Sequence, residues 1–436
     1  MSDEPEIDNR STPPVQCRPW TRQDYLLTSI AVMIKLGDGV EIYLPGVITQ
    51  KVSCELGVSE LQENVLAVIL FLCYTVAIMT SVPISNRFGE KFTLFLSLYL
   101  SILFAVLCAV VPNYYTLLIS RALTGFCAGL NGCTVGIYLA KHASSKEVLT
   151  KGSFLSCGFA IPAGGAWVSI LGWLLLEVVG WRIFVLLTSI PLFVPPIALL
   201  HFCISEKQED QRQDSTREEN SEIDTNSEND ELIKNKTIAV PNFTARVIKS
   251  SLFFFCSISI GFGSIILLPW LIRSYKRDAN TGQDVNKCAN VVHGNDLLIL
   301  AAVTGVANII GRPIGYFLWN RVRFLVLQST VTATMALCYA LILATDSLIA
   351  TGILLAAAKF CYALQAVEVA ILHYDYGYFG TSGLQLGSSI TSSVGMLGSV
   401  FGTSLAAFLP PKIAVLITLV LACVELMVIF VMKERF

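Results

Sequence analysis

SEKQEDQRQDSTREENSEIDTNSENDELIKNKTIAVPNFTARV, residues 205–247, is the stretch on which the fold turns. It is rich in Glu, Asp, Asn, Ser and Lys and almost without aromatic residues. It therefore holds too little apolar surface to offset the entropy of folding and is expected to be a disordered linker. The chain on either side has the opposite character. Runs of about 20 mostly apolar residues, enough for a helix to cross a hydrocarbon core, lie at roughly 25–48, 64–83, 92–112, 114–140, 150–179 and 181–204 before it. After it they lie at roughly 248–272, 295–319, 323–343, 346–373, 383–407 and 411–432. The expectation is an all-α membrane protein of twelve transmembrane helices in two six-helix halves. Its divisions are a cytoplasmic tail 1–24, a first half 25–204, the cytoplasmic linker 205–247, a second half 248–432 and a cytoplasmic tail 433–436.

Composition agrees: 54% of the 436 residues are hydrophobic and only 14% charged, more apolar than a soluble domain, and the excess has to face lipid. A net charge of −2 points to no nucleic-acid partner. The 13 cysteines lie mostly inside the apolar runs without paired spacing. They read as small apolar side chains rather than metal ligands or redox centres, so neither a metal nor a cofactor is expected. Cys54 and Cys288, both in loops on the outer side, are candidates for a bridge. The chain offers no nucleophile-and-base pair and no phosphate loop, which argues against an enzyme. An acidic amino terminus lacks the basic-then-apolar pattern of a cleaved signal, so the first span is expected to direct insertion.

Orientation is read from Lys and Arg in short loops. Arg87, Lys91, Lys141, Lys146 and Lys151 fall on one side of the first half, against Lys51 and Arg182 on the other. In the second half Arg321 and Arg323 oppose Arg273, Lys276, Arg277, Lys287 and Lys412, and settle nothing. The first half and an even number of spans place both termini in the cytoplasm. The sequons at Asn9, Asn235 and Asn242 are then unused, and a glycan on Asn235 or Asn242 would overturn this topology. The membrane is the plasma membrane or that of an intracellular vesicle.

The chain also carries internal echoes, which in carriers tend to locate the site. Asn86-Arg87-Phe88 after the second span recurs as Asn320-Arg321-Val322 after the eighth, each followed by a cation, Lys91 or Arg323. Arg121 in the fourth span and Lys359 in the tenth sit at equivalent depth. Ionisable residues inside spans are costly and point to a bundle interior or an aqueous cavity. In the first span Lys35, Asp38 and Glu41 recur at spacings of three, close to one face. They are either a structural ion pair holding helix 1 to helix 4, or a site where Asp38 or Glu41 binds a cationic group or a proton. Arg121 is their partner or an anion clamp. It opens the run to Asn131 and Gly132 in which Gly125 and Gly129 permit close packing. In the tenth span Lys359, Tyr362, Gln365 and Glu368 form a stripe that either lines a central cavity or packs against another helix. Gly158, Pro162, Gly164 and Gly165 interrupt the fifth span and allow it to bend.

Four of these motifs in this order resemble one known group: Asp38-Gly-Val-Glu41-Ile-Tyr, Asn86-Arg87-Phe88-Gly89-Glu90-Lys91, the Arg121-x3-Gly-x3-Gly run, and Trp181-Arg182-Ile-Phe-Val-Leu. The group is the synaptic vesicle glycoprotein and related-protein branch of the major facilitator superfamily, near the organic cation and anion transporters. The resemblance implies the major facilitator fold and a rocker-switch cavity lined mainly by helices 1, 4, 7 and 10. On it Asp38, Glu41, Arg121 and Lys359 are candidate cavity residues, and Asn86, Arg87, Lys91, Asn320, Arg321 and Asp375 fall in the gating segments. The chain departs from the pattern at its latches. Asn86 and Asn320 stand at the aspartate positions, Glu90 at an arginine position, and only Asp375, with Ser382 at the arginine position, is left of the motif after helix 10.

The reading that follows is a secondary transporter of a small organic ion, monomeric in the lipid bilayer, with protons a candidate coupling ion. The rival is a transport-silent membrane protein with a trafficking, receptor or regulatory role, whose cytosolic partners bind the 205–247 linker. A channel is disfavoured because the buried charges have opposite signs and neutralise one another.

Overall fold

A computed structural model describes residues 20–218, 243–279, 305–319, 321–372 and 384–432. These residues form helices and short turns, with no strand among them. The first four helices are α1 (Arg22–Leu56), α2 (Glu60–Phe88), α3 (Glu90–Val110) and α4 (Tyr114–His142). Their boundaries are set by local chemistry. Thr21 with Asp24 and Ser59 with Gln62 form capping boxes at the starts of α1 and α2, and Asn113 accepts the Thr116 amide at the start of α4. Gly89, at φ 87°, turns α2 directly into α3 in a conformation that residues with a Cβ rarely adopt.

The fifth helix, α5, covers 146–179: Lys146–Ser153, a π-helical segment Phe154–Ala160, and the run that starts at Ile161. Gly180, at φ 74° and ψ 164°, separates it from α6, residues 181–218, without any loop. The remaining helices are α7 (Phe243–Ala279), α8 (Ala307–Trp319, preceded by a π turn at 305–306), α9 (Phe324–Ala344), α10 (Leu348–Leu372), α11 (Leu384–Phe408) and α12 (Pro411–Val431).

The polar stretch differs at its edges from the sequence reading. Helix α6 runs on to Glu218 and α7 begins at Phe243. Residues 205–218 are largely Glu, Gln, Lys, Arg and Asp; Glu, Gln, Lys and Arg are good helix formers, so a helix already nucleated in the membrane propagates into them. Residues 219–242 lie outside the described residues.

Nine segments of the described helices are long and apolar enough to cross a membrane, one of them, Glu147–Cys203, running through both α5 and α6. Helix α1 is not among them, because Lys35, Asp38 and Glu41 occupy its middle. In α3 the two faces are distinct: Leu96, Tyr99, Leu103 and Leu107 are exposed, whereas Leu94, Leu98, Ala105 and Cys108 are buried. That three-to-four spacing puts one apolar stripe toward lipid and another toward the bundle.

Glycines let four pairs of helices meet backbone to backbone. Helices α1 and α5 touch at Gly39 and Gly164, where a Cβ on Gly164 would lie 2.8 Å from the Val40 amide. Helices α2 and α4 touch at Gly129, 2.7 Å from the Ala77 Cβ by the same measure. The pairs α7–α11 and α8–α10 repeat this six helices later, through Gly263 against Gly402 O (2.8 Å) and Gly311 against the Ala363 Cβ (2.7 Å). Gly129 and Gly125 are thus packing residues.

Candidate functional site

Between the first six helices and the last six lies a cavity of about 170 Å³. It is lined from α1, α2, α4, α5, α7, α8, α10 and α11, a wider set than helices 1, 4, 7 and 10. Much of the wall is apolar, built by Ile78, Ile161, Phe262, Ile265 and Met396. The polar part consists of two cations, Lys35 and Arg312, three phenols, Tyr43, Tyr74 and Tyr362, and a few thiols and hydroxyls. No carboxylate lines it among the described residues.

Of the residues singled out from sequence, Lys35 and Tyr362 reach this wall and most of the others do not. The reason is helical geometry. At about 100° per residue a three-residue step falls about 60° short of a full turn, so two such steps rotate a side chain by about 120°. Lys35 and Glu41 therefore diverge. Lys35 turns toward the cavity, where Nζ donates to Gly132 O at 2.8 Å and lies 3.6 Å from Asp38 Oδ2. A Cβ on Gly132 would sit 2.6 Å from Tyr74 Oη and 3.1 Å from Lys35 Nζ, so Gly132 is where these two groups converge. Asp38 lies behind the wall, fully buried, with neither oxygen accepting a hydrogen bond. Glu41 turns toward α4, where Arg121 Nη1 donates to its Oε2 at 2.8 Å, both side chains buried. Arg121 is the partner of Glu41, and the pair holds α1 to α4 away from the cavity. Asn131 points at α3, accepting from the Ser97 hydroxyl and donating to Ser101 at 3.4 Å.

The same rotation splits the stripe on α10. Tyr362 faces the cavity. Lys359 turns to α7, donating from Nζ to Gly261 O at 2.6 Å with the Tyr362 ring 5.5 Å away. Gln365 turns to α12, donating to Glu425 Oε1 at 2.7 Å. The side chain of Glu368 lies outside the described residues.

Among the described residues, two buried charged groups within spans lie outside the sequence reading. Glu425, in the very apolar α12, is fully buried against Gln365. Arg312, in α8, is 7% exposed and reaches across to α5. Its Nη1 donates to Cys157 O at 3.5 Å, while Nε has no hydrogen-bond partner. The π segment of α5 explains why that carbonyl is open: in an i→i+5 register the amide due to bond Cys157 O belongs to Pro162, which has none. The Gly/Pro interruption thus exposes a backbone acceptor at the cavity wall. Both residues were marked only by being lone charges in apolar runs, itself a signal of function.

Where they are described, the segments expected to gate lie at the surface of the bundle. Asn86 and Arg87 are exposed at the end of α2, with Arg87 5.7 Å from the Phe88 ring centre, and Lys91 is half-buried. Glu90 pairs with Lys141 of α4. Arg321 lies over the Phe317 ring at 4.3 Å. Asn320 and Asp375 are outside the described residues. On the opposite side of the bundle Glu55, at the end of α1, accepts from Trp181 Nε1 at 2.5 Å and pairs with Arg182, which gives the Trp181-Arg182 motif a structural role. Cys54 is disulfide-bonded; Cys288 lies outside the described residues.

Known proteins resemble this chain over parts of its length. A Caenorhabditis elegans protein named "Putative transporter svop-1" is 27% identical over 175 residues, 39% of this chain and 32% of that protein. "Probable polyol transporter 3" of Arabidopsis thaliana is 30% identical over 139 residues, 31% and 27% of the two chains. Synaptic vesicle glycoprotein 2A of Homo sapiens is 25% identical over 187 residues, 39% and 24%. The matched region thus spans about a quarter to a third of the length of these relatives, and they include the branch that the motifs resemble. With helices of this kind around a central cavity, and with the sequence profile of the Major Facilitator Superfamily matching residues 36–403, the chain belongs to that superfamily as a multi-pass membrane protein.

Proposed function

We propose that the protein is a secondary active transporter of a small organic anion, working by alternating access. The observation that carries this reading is the sign of the cavity wall: Lys35 and Arg312 line it and no carboxylate does, among the described residues. A buried, permanently charged guanidinium favours an anion and repels a cation. The acids Asp38 and Glu41 then have roles other than cation capture. Glu41 neutralises Arg121. Asp38, fully buried beside Lys35 with neither oxygen hydrogen-bonded, is the coupling acid.

The excess of Lys and Arg in one set of first-half loops, with an even number of spans, supports cytoplasmic termini and a cytoplasmic 205–247 segment available to cytosolic proteins. The membrane is the plasma membrane or a vesicle membrane, and the working unit is the monomer.

Uptake by purified full-length protein in proteoliposomes tests the reading. Small organic anions are expected to accumulate under an imposed inward proton gradient, while organic cations of equal size do not. Preferential cation uptake would overturn the anion assignment. Equal anion uptake by wild type and Asp38→Asn at every pH would remove the coupling role of Asp38. No uptake of any solute would favour the transport-silent reading, to which the altered latch positions Asn86 and Glu90 lend weight.

A further inference from the structure

The geometry points to an amphipathic monocarboxylate, about the size of a substituted benzene, whose carboxylate lies on the Nε–Nη2 edge of Arg312. This rests on the anion-transporter reading and names the substrate class within it.

Of the two cations in the wall, Lys35 is already beside Asp38 and Gly132 O, so its charge is matched within α1. Arg312 is different. Its one hydrogen bond, to Cys157 O, uses Nη1. That nitrogen lies on the same side of the guanidinium as Cδ, so the parallel pair of N–H groups on the opposite edge, from Nε and Nη2, is uncommitted. Nε is buried and has no hydrogen-bond partner. Two parallel N–H groups at this spacing match the two oxygens of a carboxylate and give the bidentate geometry that a lysine cannot reproduce. The phenols of Tyr43 and Tyr362 line the same cavity as Arg312 and offer further donors for the outer lone pairs of the carboxylate.

Charge and volume narrow the class further. In α1 and α4 the buried ions already pair as Glu41 with Arg121 and Asp38 with Lys35. One negative charge therefore neutralises Arg312, whereas a second would have no unmatched cation in the wall. The rest of the lining, Ile78, Ile161, Phe262, Ile265 and Met396, suits an apolar body. A volume of about 170 Å³ is close to that of engineered apolar cavities that hold a benzene ring.

The test is a stabilisation and competition panel on the purified full-length protein, with benzoate, its neutral isostere benzamide, benzenesulfonate and terephthalate as probes. Benzoate is expected to raise the unfolding temperature and to be taken up into proteoliposomes. Benzamide and terephthalate should bind at least tenfold more weakly. Benzenesulfonate, a poor match to a planar two-point edge, should fall between. In Arg312→Lys, which keeps the charge and loses the fork, benzoate affinity should drop at least tenfold and the preference over benzenesulfonate should disappear. Terephthalate or benzenesulfonate binding more tightly than benzoate would overturn the monocarboxylate assignment and leave the anion-transporter reading standing. An unchanged benzoate affinity in a folded Arg312→Lys protein would remove Arg312 as the clamp. Binding and uptake of none of the anions would defeat both. The wild-type panel decides the matter even where the variant fails to fold.

Discussion

In α1 and α4 each buried cation has a carboxylate beside it: Glu41 for Arg121 at 2.8 Å and Asp38 for Lys35 at 3.6 Å. In α8 and α10 the cations have backbone carbonyls instead, Cys157 O for Arg312 at 3.5 Å and Gly261 O for Lys359 at 2.6 Å. The two sides share a device, since Lys35 also donates to a glycine carbonyl that lines the cavity, Gly132 O. They differ in how the charge is balanced. A carboxylate cancels a cation's formal charge; a carbonyl contributes only a partial one and leaves the site electropositive. The first six helices therefore balance their buried ions internally. The last six leave positive charge for a ligand to meet, with their own buried acid, Glu425, held by Gln365 away from the cavity.

Three changes test this contrast, the most disruptive first. Glu41→Ala strands a buried guanidinium and is expected to destabilise the protein by about 3–5 kcal/mol. Replacing both partners, Glu41→Met with Arg121→Leu, should restore most of that loss in thermal unfolding. A silent single change would show that the pair is not a strut. Arg312→Gln should do the reverse, lowering anion uptake by about tenfold to a hundredfold, the worth of hydrogen bonds to a charged group of about 1.5–3 kcal/mol. Its unfolding temperature should stay near wild type, because no carboxylate is orphaned among the described residues. The mildest is Glu425→Gln, which keeps an acceptor for Gln365 and should shift stability by under about 1 kcal/mol with the pH profile of uptake unchanged. A flattened pH profile would give the last six helices a coupling acid of their own and break the contrast.

Lys35, Asp38 and Glu41 stood out because three ionisable groups in one span cannot all face lipid. Their partners were harder to assign, because spacings of three resemble one face over a single step and diverge over two. That is why Lys359, Tyr362 and Gln365 looked like one stripe and in fact address α7, the cavity and α12 in turn. Arg312, between Gly311 and Pro313, carries the same mark of a charge inside a span. Nothing in the sequence connects it to Cys157, 155 residues earlier. The connection depends on Pro162 leaving a carbonyl unpaired on a helix that only the packed bundle brings near.

The sequence by itself determined the class of molecule: long apolar runs, a polar break near the middle, glycines at helix-packing intervals and a few buried charges that must find partners. These follow from composition and period, which are local properties and survive in the chain alone. Only the tertiary structure decided which charges are neutralised and which face the cavity. That choice depends on the rotation of each helix about its axis and on its neighbours. A rotation of about 60° per three-residue step is enough to turn a presumed binding acid, Glu41, into a strut and to leave Arg312 at the cavity wall.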